Sequence, residues 1–263
     1  MSNKKKPTWK SAAAGTLALL MIGGNLPARV YADDTAGTPG SNYTDGQTDG
    51  FTIENGVLTS YAGSSKNVII PDGVTVIGDG SPSVFGNDIE SVVIPASVTT
   101  IADYAFYGCS GLKSVTFAEG SELKKIGGSA FYAANSLETL TIPDGVTEIG
   151  SYAFCAMSRL RAINLPASLK NVCGGEWFGN LDSRGPSNNA PENLMNINFA
   201  DGGDTFSSYD GAVYSADGKT LIYSPAAKKS LEFAEGVETI GQYALWRANL
   251  TSMKLPDTVK TIE

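Results

Sequence analysis

The chain has 263 residues, 27 acidic against 19 basic, and a net charge of −8. It contains no histidine, which removes the commonest general base and metal ligand and any Ser-His-Asp or Cys-His arrangement. The acidic balance argues against nucleic acid and against anionic lipid, since both reward clustered Lys and Arg; solubility alone is a sufficient reason for it.

Residues 1–32 carry Lys4, Lys5, Lys6 and Lys10, an apolar run from Ala12 to Ile22, and Val30-Tyr31-Ala32. A basic start, a short apolar core and small residues at the third and last positions before a cut predict a secretory signal peptide cleaved after Ala32. The run is shorter than the about 20 apolar residues of a membrane span, and no second run follows it, so no transmembrane segment is expected after cleavage. Loss of this peptide leaves 14 basic against 27 acidic residues, a net charge of −13. Residues 33–50 are rich in Asp, Gly, Thr and Ser, a composition that predicts an unstructured leader. Asp45 and Asp49 lack the spacing of an EF-hand loop.

From Phe51 onward the pattern changes. Phe51, Ile53, Val57 and Leu58 around Asn55-Gly56 predict a hairpin that shields the open end of a repeat array. The best copy of the repeat is Leu137, Leu140, Ile142, Pro143, Val146, Ile149, Gly150, Ala153 and Phe154, with Leu160 opening the next unit 23 residues after Leu137. Val92 to Leu112 and Val115 to Phe131 match it, the latter with Ala118 in place of proline and two extra residues before Leu123. In the earlier unit, Val68 to Gly78, the Ala-Phe pair is degraded to Val84-Phe85. A unit this short cannot bury its own apolar face and must stack on its neighbours. The alternation in x-Leu-x-Ile-Pro predicts one strand per unit in a parallel sheet, and proline closes that strand because it lacks a ladder N–H. Val-x-x-Ile-Gly predicts a second short strand, Ala-Phe is expected to point inward, and the coils are expected to include short helical turns. Phe106, Phe131 and Phe154 are expected to stack in a column.

The unit begun by Leu160 departs from pattern between Cys173 and Asn193, where Trp177-Phe178 takes the Ala-Phe position. Within 203–229, Ala212 to Ser215 and Thr220 to Tyr223 flank Asp217-Gly218 and predict an inserted β-hairpin. It is read either as padding on one edge of the stack or as a binding loop. Two further units run from Leu231 to Leu245 and from Leu250 to Ile262. The sequence stops one step before the next Gly-x-x-Ala-Phe, so either the last coil is left open or the chain is a piece of a longer surface protein; the latter is favoured because an exposed coil edge invites association.

The phrase Leu-x-x-Leu-x-Ile-Pro-x-x-Val-x-x-Ile-Gly-x-x-Ala-Phe resembles the BspA-type (treponemal-type) leucine-rich repeat family of bacterial surface proteins, over 51–263. The resemblance implies a β-rich leucine-rich-repeat solenoid with coils of about 23 residues. It also implies a secreted or cell-surface location and adhesion to host or microbial surface protein. An architectural spacer presenting other domains and a carbohydrate-binding module are the alternatives.

Nothing in the sequence reads as catalytic, and no cofactor or metal is expected. Asp72, Asp144 and Asp257 recur in the turn after proline, which is turn chemistry. No Walker or dinucleotide glycine pattern occurs. Cys109, Cys155 and Cys173 are too few and scattered for a disulfide framework or a zinc site; Cys109 and Cys155 occupy different places in the unit and are expected to be buried and unbridged.

If an extracellular protein or glycan binds, columns of equivalent side chains are the natural surface. In register, Thr116, Thr141, Asn164, Asn198, Glu232 and Lys254 form one outward column. A second runs two residues earlier through Ser91, Ser114 and Thr139, where ladders between repeats would explain the small polar side chains without a ligand. Tyr104, Tyr152 and Tyr243 recur one residue before Ala, and Tyr107, Tyr132 and Trp246 lie just beyond the apolar pair. They are read either as a row of contacts or as rings packed along the outside of the coil.

Overall fold

A computed structural model describes residues 50–81, 83–172 and 190–263. The signal peptide, nearly all of the leader, Cys173 and Trp177-Phe178 lie outside these residues.

The first hairpin is β1 (Phe51–Glu54) and β2 (Val57–Tyr61), joined by Asn55 and Gly56, both at positive φ. Each following coil contributes a strand to a first column and then one to a second: β3 (Asn67–Ile69) and β4 (Val76–Ile77), β5 (Ser91–Ile94) and β6 (Thr100–Ile101), β7 (Ser114–Phe117) and β8 (Lys125–Ile126). The series continues through β9 (Thr139–Thr141) and β10 (Glu148–Ile149), then β11 (Ala162–Leu165) and β12 (Asn171–Val172). β13 (Asn196–Phe199) precedes an antiparallel meander of β14 (Phe206–Tyr209), β15 (Ala212–Ser215) and β16 (Thr220–Tyr223). Two more coils supply β17 (Ser230–Leu231) with β18 (Thr239–Ile240), and β19 (Ser252–Met253) with β20 (Thr261–Ile262).

The second column forms one seven-stranded sheet, β1-β2-β4-β6-β8-β10-β12, parallel after the hairpin. Ile77, Ile101, Ile126 and Ile149 lie in register along it, all buried. The first column is broken into β3-β5-β7, β9-β11-β13 and β17-β19. The break between β7 and β9 falls in the coil that carries the two extra residues before Leu123, while the second column runs through that coil without interruption.

The phenylalanine column is present and longer than expected. Phe85 stacks on Phe106 at 4.8 Å, Phe106 on Phe131 at 4.9 Å, and Phe131 on Phe154 at 6.1 Å, with all four rings buried. Phe85 therefore fills the Ala-Phe place of its degraded unit. Tyr61 reaches Phe85 at 6.0 Å and Phe51 at 4.7 Å, so the N-terminal hairpin caps this column directly.

The expected helical turns are absent: the described residues contain no helix. The run after Ile101 has Tyr104 and Gly108 at positive φ, and Ser129 with Ala133, Tyr152 with Ala156 and Tyr243 with Arg247 repeat this four-residue spacing. A left-handed residue at each end leaves three residues between them, room for a single turn and not for a helix. The turn is closed by i to i+3 bonds, such as Tyr107 N–H to the Tyr104 carbonyl at 2.9 Å. Its alternate N–H groups are freed to donate to the next coil: Tyr104 to Gly128, Phe106 to Ala130 and Gly108 to Tyr132, at 2.7 to 3.0 Å.

The glycines that follow Ile126 and Ile149 have a packing cause. A Cβ on Gly150 would lie 2.4 Å from the backbone nitrogen of Gly128, and one on Gly127 2.4 Å from that of Asp103. Coil backbones meet there without room for a side chain. Gly150→Ala should cost about 1–3 kcal/mol by overpacking, and Phe131→Ala about 3–5 kcal/mol by opening a cavity in the ring column; urea titration followed by circular dichroism measures both.

Candidate binding surfaces

The outward column is not carried by one continuous hydrogen-bonded sheet. Thr116 lies on β7, in the sheet that ends at the first-column break. Thr141, Asn164 and Asn198 share the next sheet in direct register, while Glu232 and Lys254 follow β17 and β19. The three that meet bond to one another: Asn164 Nδ2 donates to Thr141 Oγ1 at 2.9 Å, and Asn198 Nδ2 donates to Asn164 Oδ1 at 2.9 Å. A ladder of this kind stiffens a face that would otherwise rely on water. In the neighbouring column, Ser91 Oγ donates to Asn67 Oδ1 at 2.8 Å.

The aromatic residues divide into two groups. Tyr107 and Tyr132, on successive coils, stack at 5.0 Å with planes 7° apart, and Tyr104 meets Tyr107 edge-on at 5.8 Å. Tyr104 and Tyr107 are each 43% exposed, with Tyr132 half-buried beside them. Burial, then the neighbouring Tyr107 and Cys155, raise the Tyr132 phenol above its ordinary pKa. Far along the chain Tyr243 and Trp246 form a separate exposed pair, perpendicular at 6.3 Å. Tyr152 is half-buried. Cys155 occupies the place of Tyr107 and Tyr132 in its coil and is buried, so the row of rings stops there.

Tyr104, Tyr152 and Tyr243 have φ of 61°, 60° and 59°. Their equivalent in the coil between the first two is Ser129, also at positive φ. Left-handed backbone costs an L-residue roughly 1–2 kcal/mol, and the turn needs that conformation whatever the side chain. Tyrosine at the site is a choice of ring, placed on backbone already fixed by bonds to the next coil.

Cys109 and Cys155 are buried and unbridged, in line with their sequence positions. Burial pushes the Cys109 thiol up to about 11, its hydrogen bond with Ser83 only partly opposing this, so the thiolate is scarce at neutral pH.

One charged pair escaped sequence reasoning. Lys228 Nζ lies 3.1 Å from Asp210 Oδ2, with the Lys side chain only 9% exposed, and the same carboxylate oxygen accepts the Glu232 N–H at 2.9 Å. Asp210 and Gly211, both at positive φ, make the two-residue turn between β14 and β15. That Asp-Gly signal was in the sequence, but the lysine that answers it is 18 positions away. Nearby, an open cleft of about 640 Å³ is lined by Glu192, Asn193, Ala226, Lys229, Arg247 and Asn249, with Arg247 and Glu192 paired at 3.7 Å.

Stacked coils and two columns of parallel strands, one opening each repeat after its leucine, define a leucine-rich-repeat solenoid. The family model for the BspA type leucine rich repeat region matches in six copies, over residues 52–172, 80–200 and 222–263. The chain belongs to that family. Among solved structures it is similar to the pneumococcal vaccine antigen PcpA, with 21% identity and a TM-score of 0.51 over 81% of this chain and 70% of that one. It is also similar to a leucine-rich repeat protein from Eubacterium ventriosum ATCC 27560, with 23% identity and a TM-score of 0.51 over 80% of this chain and 58% of that one. At these identities the likeness is one of fold. No curated protein matches the chain.

Asp210→Ala would strand the Lys228 ammonium in a nearly dry site. The expected loss is about 1–3 kcal/mol, with Lys228→Met recovering part of it in the double variant, as read by urea titration. The pH response includes Glu90, held below its ordinary pKa by the Lys113 hydrogen bond and charge and then by Lys66, and Glu238, held down by hydrogen bonds from Lys260 and Lys219. Asp79 and Asp217 are lowered too, by hydrogen bonds from Ser81 and from Ser215 with Lys219. A lowered folded pKa gives stability that is present above the unfolded value, about 4.3 for Glu, and is lost as pH falls through the folded one. The thermal midpoint should therefore drop on acidification below about pH 4.5, by less in high salt because these pairs are exposed.

Proposed function

We propose that this protein is a non-enzymatic binding module, secreted or held at the bacterial cell surface, that recognises a host or microbial surface protein. The observation that carries this reading is the Tyr104, Tyr107 and Tyr132 cluster, exposed aromatic area on backbone tied to the next coil. Tyr anchors dominate protein interfaces because they bring large contact area at low conformational cost, and rigid presentation lowers the ordering penalty of binding. The signal-like segment at 1–32 and membership of the family support the location. The absence of histidine supports a role without catalysis. Carbohydrate is the other ligand class that such a surface serves.

The second reading is an architectural spacer. It is favoured by the Thr141, Asn164 and Asn198 ladder, whose hydrogen-bonding groups largely serve one another.

A screen of the 33–263 fragment against extracellular-matrix proteins, mucins and a glycan array separates these readings. With a saturable protein ligand in hand, Tyr104→Ala with Tyr107→Ala should weaken binding by at least about tenfold, the scale of a 1.4 kcal/mol hot spot. Thr116→Ala, Thr141→Ala and Asn164→Ala together test the strand face. Unchanged affinity in a folded variant removes that face from the site, and silence throughout the screen supports the spacer.

A further inference from the structure

The meander near residue 210 repeats the way the chain begins. β1-β2 is an antiparallel hairpin whose second strand pairs in parallel with β4, Leu58 opposite Ile77. β15-β16 is an antiparallel hairpin whose second strand pairs in parallel with β18, Leu221 opposite Ile240. The correspondence continues at a constant offset of 163 residues: Leu58, Val68, Gly73, Val74, Ile77 and Gly78 recur as Leu221, Leu231, Gly236, Val237, Ile240 and Gly241. Gly73 and Gly236 share a positive φ.

The apolar interior divides at the same place. One buried cluster runs from Phe51 through Ile197 and takes in Val213 and Tyr223, while a separate one contains Ala212, Tyr214, Leu221, Leu231, Val237, Ile240 and Ala244. The meander thus has two apolar faces, each serving a different core. The first hairpin has only one, since Phe51, Ile53 and Leu58 are buried while Thr52 and Thr59 are not. Both strand columns also change sheets here. Among the described residues, β12 and β13 end the earlier sheets, and β16-β18-β20 with β17-β19 start new ones. The links across the seam include two backbone bonds, Ile197 N–H to Gly211 at 2.9 Å and Ala227 N–H to Leu194 at 3.0 Å, together with the Phe199 N–H to Ser208 Oγ bond at 2.9 Å, the Phe199–Phe206 ring contact at 5.4 Å and the Arg247–Glu192 pair at 3.7 Å.

We propose that β14-β16 is a partition, a second cap that closes the first stack with one face and starts a second, separately cooperative stack over 206–263 with the other. The insertion is then a restart of the solenoid, and the second stack opens as one body at the seam while the first stays closed. Asp210, at the tip of β14-β15, and Lys228, at the start of the first new coil, tie the cap to the stack it begins.

Hydrogen exchange of the full chain, read by mass spectrometry, tests this. In the unmodified protein, protection should fall in one step between β13 and β14, with β14, β15, β16, β18 and β20 exchanging together. Leu221→Ala should speed exchange at least tenfold across that whole group and leave β4 to β11 unchanged. If β14-β16 instead stay as slow as β13 while β18 and β20 accelerate, the meander belongs to the first stack and the proposal fails. Acceleration spread through β4 to β11 would show one continuous cooperative unit and overturn it equally.

Discussion

The structure depends on contact between successive coils. A single coil of this length has no inside, and its isoleucines and phenylalanine become buried only when another coil lies against each side. The column from Phe85 through Phe154 is the most direct expression of that dependence. Phe106 and Phe131 each present one face to the ring before and one to the ring after, so removing either exposes two neighbours. The backbone follows the same geometry, with N–H groups from both strand columns and from the turn all donating across the coil boundary. Where that spacing is tightest, only glycine fits, as at Gly127 and Gly150.

Surface chemistry follows from the same repetition. Because equivalent positions of successive coils are neighbours, a residue type that recurs in sequence becomes a column in space. In one column the result is a side-chain ladder, in another a stack of phenols. The two uses differ in what is left for a partner. The ladder satisfies its own polar groups, whereas the Tyr104 and Tyr107 rings keep over two-fifths of their area in water. Charge pairs such as Lys66, Glu90 and Lys113 obey the same rule, linking three coils through one carboxylate.

Much of the fold was legible because the repeat is periodic and its turns have specific chemistry. Proline marked strand ends, Asn55-Gly56 marked the first hairpin, and Asp217-Gly218 placed β15 and β16 at their observed bounds. β14 was not foreseen: its turn signal, Asp210-Gly211, sits inside a run of polar and aromatic residues with no clean alternation. The short helical turns were expected as part of a leucine-rich-repeat coil. They fail because the next coil demands left-handed backbone at Tyr104 and its equivalents, a requirement that no local propensity expresses.

The sequence by itself determined the repeat, the strand positions, the buried face and the family, because each rests on spacing along one chain. Only the tertiary structure decided which equivalent residues touch. Thr141, Asn164 and Asn198 join through hydrogen bonds, while Thr116 lies on β7, which is not ladder-paired with β9. It also decided that the core divides at the meander, with Val213 facing one interior and Ala212 and Tyr214 the other. That assignment depends on which layers lie above and below a strand, and residue order alone does not contain it.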